Sequence, residues 1–311
     1  MSKRKNSKNK IITSVITLII LLGLLIVGAN SEAINEFSNI TGLNIVVENE
    51  KNISKSEEIQ YVAEDNLTVY FIDVGQADSI LVTNKEESML IDAGNNDDGE
   101  NVVKFIKDKG ITQLDYVIGT HPHEDHIGGL DDVINNFNVK NIYMPKIETT
   151  TKTFEDVLDA ISNRNLEITS PSKGQIFNVG DAKCEVMTDS ILDKDNLNLS
   201  SIIIRLEFGN NSFLFMADGE TENEKTRSWP KTDVLKVGHH GSNTSTSEEF
   251  LDEVSPTYGV IMVGKNNTYG LPKSNIVERL NKANVKLYRT DEKGTIEMSS
   301  DGNKISITTE K

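Results

Sequence analysis

The sequence predicts an α/β domain in which two β-sheets pack face to face with helices on their outer faces, a four-layer αββα arrangement. From Leu67 onward, short β-branched and aromatic runs separated by turn residues are typical of strands. Apolar residues then recur at helical spacing in 100–109 and 153–164, and helix and strand alternate again over 220–289. Between these groups, residues 166–217 are almost entirely strand-like. Two helical groups flanking a block of strands indicate two sheets with helices outside.

The individual elements follow from local patterns. LTVYFIDV, DSILVT and SMLIDAG predict the first three strands, and LDYVIGT predicts a buried strand that stops at His121. Helices are predicted at 126–137 and 220–228. RLEFGNNSFLFMA predicts a hairpin with Asn-Asn at its turn, and the chain closes with a second hairpin, TIEMSS and KISITT.

The N-terminal region predicts a membrane-associated leader. Residues 1–10 are basic, and residues 11–29 contain no charged side chain and, at about 1.5 Å per residue, roughly match a hydrocarbon core of about 30 Å. This length favours an uncleaved single transmembrane helix, since signal peptides have apolar cores of about 7–15 residues, and cleavage after Ala29 is the alternative. Residues 30–64 are polar and acidic and predict a flexible linker. The domain at 65–311 is therefore expected outside the cytoplasm, held at the cell membrane or secreted after cleavage.

Charge and cysteine content narrow the classes of partner. The net charge is −16, and the first ten residues are basic, so the rest of the chain is more acidic still. An acidic domain repels phosphate backbones, which disfavours a general nucleic-acid binder. The one cysteine, Cys184, excludes an intrachain disulfide and a cysteine-based zinc cluster, and its alternating neighbours predict a core residue.

The segment THPHEDHIGG, residues 120–129, carries the chemistry. Alternate residues of an extended segment point the same way, so His121 and His123 can bind one ion, while Asp125 and His126 face a second. Imidazole and carboxylate suit Zn²⁺, Mn²⁺ or Fe²⁺. A histidine-rich polar loop is the alternative, but the chain has only five histidines, and the other two are adjacent in His239-His240. This concentration favours a metal site.

Two further segments contribute candidates. A two-metal site needs a bridging carboxylate, and Asp218, which ends the strand FLFMA, is the best candidate, with capping of the helix at 220–228 as its alternative role. Ser242 and Thr244 offer hydroxyls that could bind phosphate oxygens, or could cap a helix at 246–254.

In order along the chain, these motifs resemble the metallo-β-lactamase-fold hydrolases. The resemblance is closer still to the branch formed by the extracellular domain of the ComEC/Rec2 competence proteins and pneumococcal phosphorylcholine esterase. It spans about residues 67–311 and is carried by FIDVGQADSILV, LIDAG, THPHEDHIGG, NLSSIIIRL, FLFMADGE, LKVGHHGSNTST and YRTDEKGTIEMSSDG.

The resemblance implies roles for the ligand residues. His121 and His123 would hold the first metal, Asp125 and His126 the second, and Asp218 would bridge them. His240 is the favoured further ligand of the second metal because Gly241 follows it. By the same resemblance, the expected catalytic residues are Asp125, acting as a ligand, and His239, acting as an acid or a phosphate contact.

The resemblance also implies roles for residues around the ligands. Asp92 would support the metal loop through hydrogen bonds. Many superfamily members have another first-metal histidine, which this chain lacks between 126 and 239. The branch has Asn and Ser there, here Asn198 to Ser201, so Asn198 and Ser200 are expected near the first metal or substrate. A late Pro, often preceded by His in the branch, here follows Leu271.

The expected function is metal-dependent hydrolysis at a binuclear site, with two Zn²⁺ ions and Mn²⁺ as the alternative. By resemblance the expected substrate is a phosphodiester, small or polymeric. A single-strand nuclease, a lactonase or other carbonyl hydrolase, and a non-enzymatic metal-binding adaptor are the alternatives. The sequence leaves the oligomeric state open.

Overall fold

The computed structural model describes residues 65–311, and its first sheet has eight strands. The strands are β1 Leu67–Phe71, β2 Ile80–Asn84, β3 Glu87–Ile91, β4 Gln113–Ile118, β5 Asn138–Tyr143, β6 Ile168–Thr169, β14 Ile296–Ser300 and β15 Ile305–Thr309. Their order across the sheet is β15-β14-β1-β2-β3-β4-β5-β6. Neighbours from β15 to β3 pair antiparallel, whereas β3 to β6 pair in parallel.

The second sheet has seven strands. They are β7 Ile176–Val179, β8 Ala182–Val186, β9 Ile204–Phe208, β10 Asn211–Phe215, β11 Val234–Lys236, β12 Tyr258–Ile261 and β13 Lys286–Arg289. They lie in the order β13-β12-β11-β10-β9-β8-β7, with β10 to β13 parallel. Each sheet thus has a parallel half whose carboxyl ends can present side chains at one edge.

Eight α-helices are present in the part of the chain that the structure describes. They are α1 Gly99–Asp108, α2 Glu124–Ile127, α3 Leu130–Asn136, α4 Lys152–Asn163, α5 Thr221–Glu224, α6 Glu248–Val254, α7 Ser274–Lys282 and α8 Thr290–Lys293. Short 3₁₀ turns cover Asn96–Asp98, Leu197–Ser200 and Gly238–Gly241.

Three hydrophobic cores separate four layers. The middle core lies between the sheets, where Phe71 of β1 contacts Phe215 of β10 with ring centroids 6.3 Å apart. A second core joins α1, α3 and α4 to the outer face of the first sheet, and a third joins α6 and α7 to the outer face of the second. Burial of these apolar faces stabilises the arrangement at roughly 25 cal/mol per Å². The predicted αββα sandwich is confirmed, and Cys184 is a buried core residue as predicted.

Several local predictions were wrong in detail. The helix predicted at 126–137 is two helices, α2 and α3, separated at Gly128-Gly129. The hairpin turn between β9 and β10 is Gly209-Asn210, because Phe208 pairs with Asn211, and Gly209 has a φ of 58°. The helix predicted at 220–228 extends only over α5. Between β8 and β9 the chain forms a 3₁₀ turn and loops, so the middle region contains less strand than predicted.

The predictions for residues 1–64, including the transmembrane helix at 11–29 and the linker at 30–64, lie outside the described residues. Within residues 65–311, no helix has the length and apolar character needed to cross a membrane.

Two glycines allow α2 to lie against the loop that follows β3. A Cβ atom at Gly128 would lie 2.3 Å from backbone atoms of both Asn95 and Asn96, and one at Gly129 would lie 2.5 Å from the carbonyl oxygen of Ala93. Since backbone atoms cannot move aside as a side chain can, only glycine permits this approach. The two glycines therefore set the distance between α2 and the loop containing Asp92.

We expect Gly128→Ala to lower the free energy of unfolding by about 1–3 kcal/mol, as overpacking does in a close-packed interior. Urea unfolding followed by circular dichroism would measure this. Asn135→Ala, on the exposed face of α3, is the control and should stay within about 0.5 kcal/mol of the native protein. A Gly128→Ala variant as stable as this control would contradict the close approach.

Candidate metal centre

The site lies where the carboxyl ends of the parallel strands of both sheets meet. The loop after β4 carries His121 and His123, and the short helix α2 that follows carries Asp125 and His126. The loops after β10 and β11 carry Asp218 and the His239-His240 pair, and Asp92 directly follows β3. The topology thus collects residues from positions 92 to 240 at one edge of the molecule.

Four side chains converge on one point. Asp125, His126, Asp218 and His240 each offer a ligand atom, and these atoms all lie within 4.8 Å of one another. The Nε2 atoms of His126 and His240 lie 3.3 and 3.5 Å from Oδ1 of Asp218, and His240 Nε2 is 3.4 Å from Oδ2 of Asp125. Two imidazoles and two carboxylates form a donor set suited to a divalent metal of the zinc or manganese type.

Three of the converging atoms are buried without a hydrogen-bond partner. They are His126 Nε2, His240 Nε2 and Asp218 Oδ1. Leaving such atoms unpaired costs about 1–3 kcal/mol each, so buried polar atoms normally have a partner. A cation between them satisfies all three at once, and the residues present therefore fit a metal ion.

Hydrogen bonds on the far side of each imidazole orient it. His126 Nδ1 lies 2.8 Å from Oδ2 of Asp92, whose carboxylate also accepts bonds from the backbone N–H and hydroxyl of Thr120 at 2.8 and 2.7 Å. His240 Nδ1 lies 2.9 Å from the carbonyl oxygen of Met262. With hydrogen on Nδ1, each ring directs the Nε2 lone pair at the site, an arrangement common around metals.

His121 and His123 form a separate pair beside this group. Nε2 of His121 and Nδ1 of His123 are 3.0 Å apart, so both can contact one ion. Neither residue belongs to a group of three or more convergent ligand atoms among residues 65–311. The hydroxyl of Ser201 lies 3.4 Å from His121 Nδ1.

The electrostatic field of the site favours positive charge. Burial opposes the charging of His126, but Asp218, Asp92 and Asp125 together raise its pKa well above the ordinary value. Burial likewise opposes the ionised form of Asp218, yet His240 and His126 hold the pKa of this carboxyl well below its usual range. A divalent cation would experience the same attraction.

His121 differs, because burial and the neighbouring His126 lower its pKa well below the ordinary value. His121 is therefore neutral, which is the form in which imidazole binds metals.

A cleft of about 320 Å³ opens over the site, and His239 lies in its wall. His239 is 24% exposed, with Nε2 3.6 Å from Asp218 Oδ2 and Nδ1 2.9 Å from the hydroxyl of Thr244. Glu220 lies 3.3 Å from the same Nδ1. Asn198 contacts the His239 ring and donates to Glu220. His239 thus faces the cleft, whereas His240 is buried toward the candidate metal position.

The other predicted residues differ in their contacts. Ser200 donates to the carbonyl of Leu197 within its own turn, so its neighbour Ser201 provides the hydroxyl next to His121. Ser242 and Thr244 contact each other at 3.2 Å. The cap of α6 is Ser247, whose side chain accepts from the backbone of Phe250.

Leu271, which stands where the branch often has His, also lies at the site. Leu271 lines the cleft together with Tyr269, whose side chain is 67% exposed.

Sequence reasoning missed two buried residues at the site. Asp78 lies beneath the metal group, with Oδ1 3.4 Å from His240 Nδ1, and forms an ion pair with Lys236. Both residues are buried. A lysine among the apolar residues of LKV was the available signal, since lysine is almost never fully buried without a partner.

Comparisons with known proteins agree with this geometry. A profile described as the metallo-β-lactamase superfamily matches residues 72–265. The chain is 34% identical to ComE operon protein 3 of Bacillus subtilis, over 74% of this chain and 32% of that protein. It is 27% identical to Recombination protein 2 of Haemophilus influenzae, over 68% of this chain and 26% of that protein. It therefore spans about a third or less of the length of these curated relatives.

Among solved structures, the metallo-β-lactamase fold protein YhfI from Bacillus subtilis matches with a TM-score of 0.51 and 13% identity, covering 76% of this chain and 100% of YhfI. At that identity the likeness concerns the fold alone. Because the profile covers more than half of the chain and the relatives include ComE operon protein 3 and Recombination protein 2, the chain belongs to the metallo-β-lactamase superfamily, in its ComEC/Rec2-like branch.

Proposed function

We propose that this chain is a metal-dependent phosphodiesterase that acts outside the cytoplasm through a binuclear centre. The observation that carries the proposal is the convergence of His126 Nε2, His240 Nε2 and Asp218 Oδ1, buried and unpaired beneath an open cleft. The Zn²⁺ ion suits this nitrogen and carboxylate set, with Mn²⁺ as the alternative.

Two groups of side chains would hold the two ions. Asp125, His126, Asp218 and His240 would hold one ion, and His121 and His123 would hold the other, with Asp218 as the proposed shared ligand. The ions supply Lewis acidity and a water nucleophile that is active near neutral pH. Asp92 and the Met262 carbonyl keep His126 and His240 in the tautomer that faces the site.

In this proposal, His239 contacts the substrate. Its ring lies in the cleft wall, and Thr244, Asn198 and Glu220 fix its orientation. From there it can bind a phosphate oxygen or donate a proton to the departing oxygen. Ser247 makes the cap of α6, so Ser242 and Thr244 are not required for that role, and Thr244 instead contacts His239.

A nucleic-acid strand is the second candidate substrate. Tyr269, exposed at the edge of the cleft, could stack on a base, an interaction worth about 1–3 kcal/mol. One relative is named a recombination protein. The acidity of the chain argues against tight binding of a polyanion, so the general phosphodiester remains the first choice.

The proposed location depends on the uncharged segment 11–29. We propose that it anchors the chain in the cell membrane with the catalytic domain outside, or that cleavage near Ala29 releases the domain. Basic residues before the segment support this orientation.

We expect the full chain, purified in mild detergent, to hydrolyse bis-p-nitrophenyl phosphate only with metal present. Activity should be lost on chelation and return with Zn²⁺ or Mn²⁺. His123→Ala should reduce kcat/KM by more than about 100-fold, since even the outer partners of metal ligands contribute about 10–100-fold. Asn135→Ala is the control and should retain full activity.

Unchanged turnover in the His123→Ala variant would contradict the metal-hydrolase assignment. If the chain binds metal but leaves the phosphodiester intact, nitrocefin and lactone substrates would test the carbonyl-hydrolase alternative. Bound metal without any turnover would instead favour an adaptor role.

We also expect the two ions to differ in affinity, because one position has four protein side chains and the other has two unshared nitrogens. After dialysis, the native chain and His121→Ala should each retain about one ion, whereas His240→Ala should retain almost none. Metal analysis by mass spectrometry would measure bound ion per chain. Equal amounts of retained metal in His121→Ala and His240→Ala would contradict the difference in affinity between the two positions.

A further inference from the structure

Lys236 is a buried charge that the mechanism above does not use. It ends β11 between Leu235 and Val237, and its side chain is fully buried. Its ammonium group forms an ion pair with Asp78, donates to the carbonyl oxygen of Ala217 at 2.9 Å, and lies 3.9 Å from Asp218 Oδ1. The ammonium therefore contacts two different loops of the metal centre.

Stability alone does not account for a lysine at this position. Burying an ion pair costs several kcal/mol per ion in desolvation, and replacing such a pair by apolar residues is often neutral or stabilising. Leu235 and Val237, which flank Lys236 in β11, are buried apolar residues of the outer core, so a lysine is the exception in this strand. The contacts of the ammonium indicate its role.

The contact with Ala217 bears directly on Asp218. Ala217 has a φ of 47°, a left-handed conformation that costs of order 1–3 kcal/mol for a residue other than glycine. Its carbonyl accepts two donors, Lys236 Nζ at 2.9 Å and the backbone N–H of His239 at 3.0 Å. These bonds hold the peptide unit that joins Ala217 to Asp218, and so direct the Asp218 carboxylate into the site.

The contact with Asp78 affects where a metal can bind. Asp78, Asp92 and His126 form a second group of convergent, buried ligand atoms next to the first. The ammonium of Lys236 already pairs with the Asp78 carboxylate and neutralises it. The second group therefore already contains a positive charge, the Lys236 ammonium.

We propose that Lys236 is a positioning residue of the metal centre, which fixes Asp218 through the Ala217 carbonyl and, by pairing with Asp78, directs the ion to Asp125, His126, Asp218 and His240. The inference rests on the proposed metal-dependent function. It concerns metal binding, so its test does not depend on the substrate.

The test uses the charge-balanced double variant Lys236→Met/Asp78→Asn in the full chain. Lys236→Met alone would remove a positive charge near the ion, which favours cation binding and masks the loss of positioning. The double variant removes both charges and leaves the local net charge unchanged. The matched control is Lys140→Met/Asp115→Asn, which removes the ion pair that joins β5 to the buried Asp115 in β4.

Zn²⁺ affinity is measured by competition with a chromophoric chelator, and the Co²⁺ form is compared by its visible absorption spectrum. We expect the double variant to bind Zn²⁺ at least about tenfold more weakly, in the range seen for outer partners of metal ligands. Its Co²⁺ spectrum should change, since the orientation of Asp218 changes. The control should match the native chain in both measurements.

A double variant with native Zn²⁺ affinity and Co²⁺ spectrum, even with a lowered Tm, would show a purely structural lysine and overturn the inference. If the native chain binds no metal, the proposed function fails and this inference with it.

If the double variant does not fold, the charge-balanced variant Lys236→Gln/Asp78→Asn, which keeps polar groups at both positions, provides the test, with Lys140→Gln/Asp115→Asn as its control. It should bind Zn²⁺ at least about tenfold more weakly than the native chain, whereas native affinity would overturn the inference.

Discussion

Four carboxylates, those of Asp78, Asp92, Asp125 and Asp218, lie within one small region at the meeting edge of the two sheets, and all but Asp125 are buried. Their mutual repulsion in a medium of low dielectric constant must be offset by positive charge. The protein supplies part of it through Lys236 and through imidazoles that can carry a proton. A divalent cation bound between the unpaired atoms would replace those protons and supply the rest. This need for charge balance explains the composition of the site and the placement of its neighbours.

The backbone around the site is held in conformations that are unfavourable elsewhere. Asp92, Ala217, His239 and His240 all have φ values between 47° and 59°, in the left-handed region. Each costs of order 1–3 kcal/mol and persists only where the surroundings enforce it. The enforcement is visible in backbone hydrogen bonds such as that from the Asp92 N–H to the Ile118 carbonyl oxygen, at 2.8 Å. The ligand positions are thus fixed before any ion binds, which reduces the reorganisation that binding requires.

Much of the fold and the ligand loop could be predicted because the signals are local. The apolar alternation of β1 to β3 and the histidine spacing of residues 121–126 report their structure within a few positions. The break between α2 and α3 could not be predicted, because it depends on the approach of Gly128 to Asn95, 33 positions earlier. The pairing of Asp78 with Lys236 escaped notice for the same reason, since it spans 158 positions and joins two sheets.

The acidity of the chain and an anionic substrate are compatible once distance is considered. Exposed surface charges act through a screened field that decays over about 8 Å at physiological ionic strength. The cleft is lined by His123, His239 and His240, which lie next to the proposed ions. Divalent cations are the largest local charges in such a site, and two of them together with Lys236 would outweigh its four carboxylates. A single phosphodiester within the cleft would be attracted by the ions. Each further phosphate of a longer polyanion would lie outside the cleft and face the acidic surface, which limits the length that can bind. This distinction favours short or isolated phosphodiesters over long nucleic-acid strands.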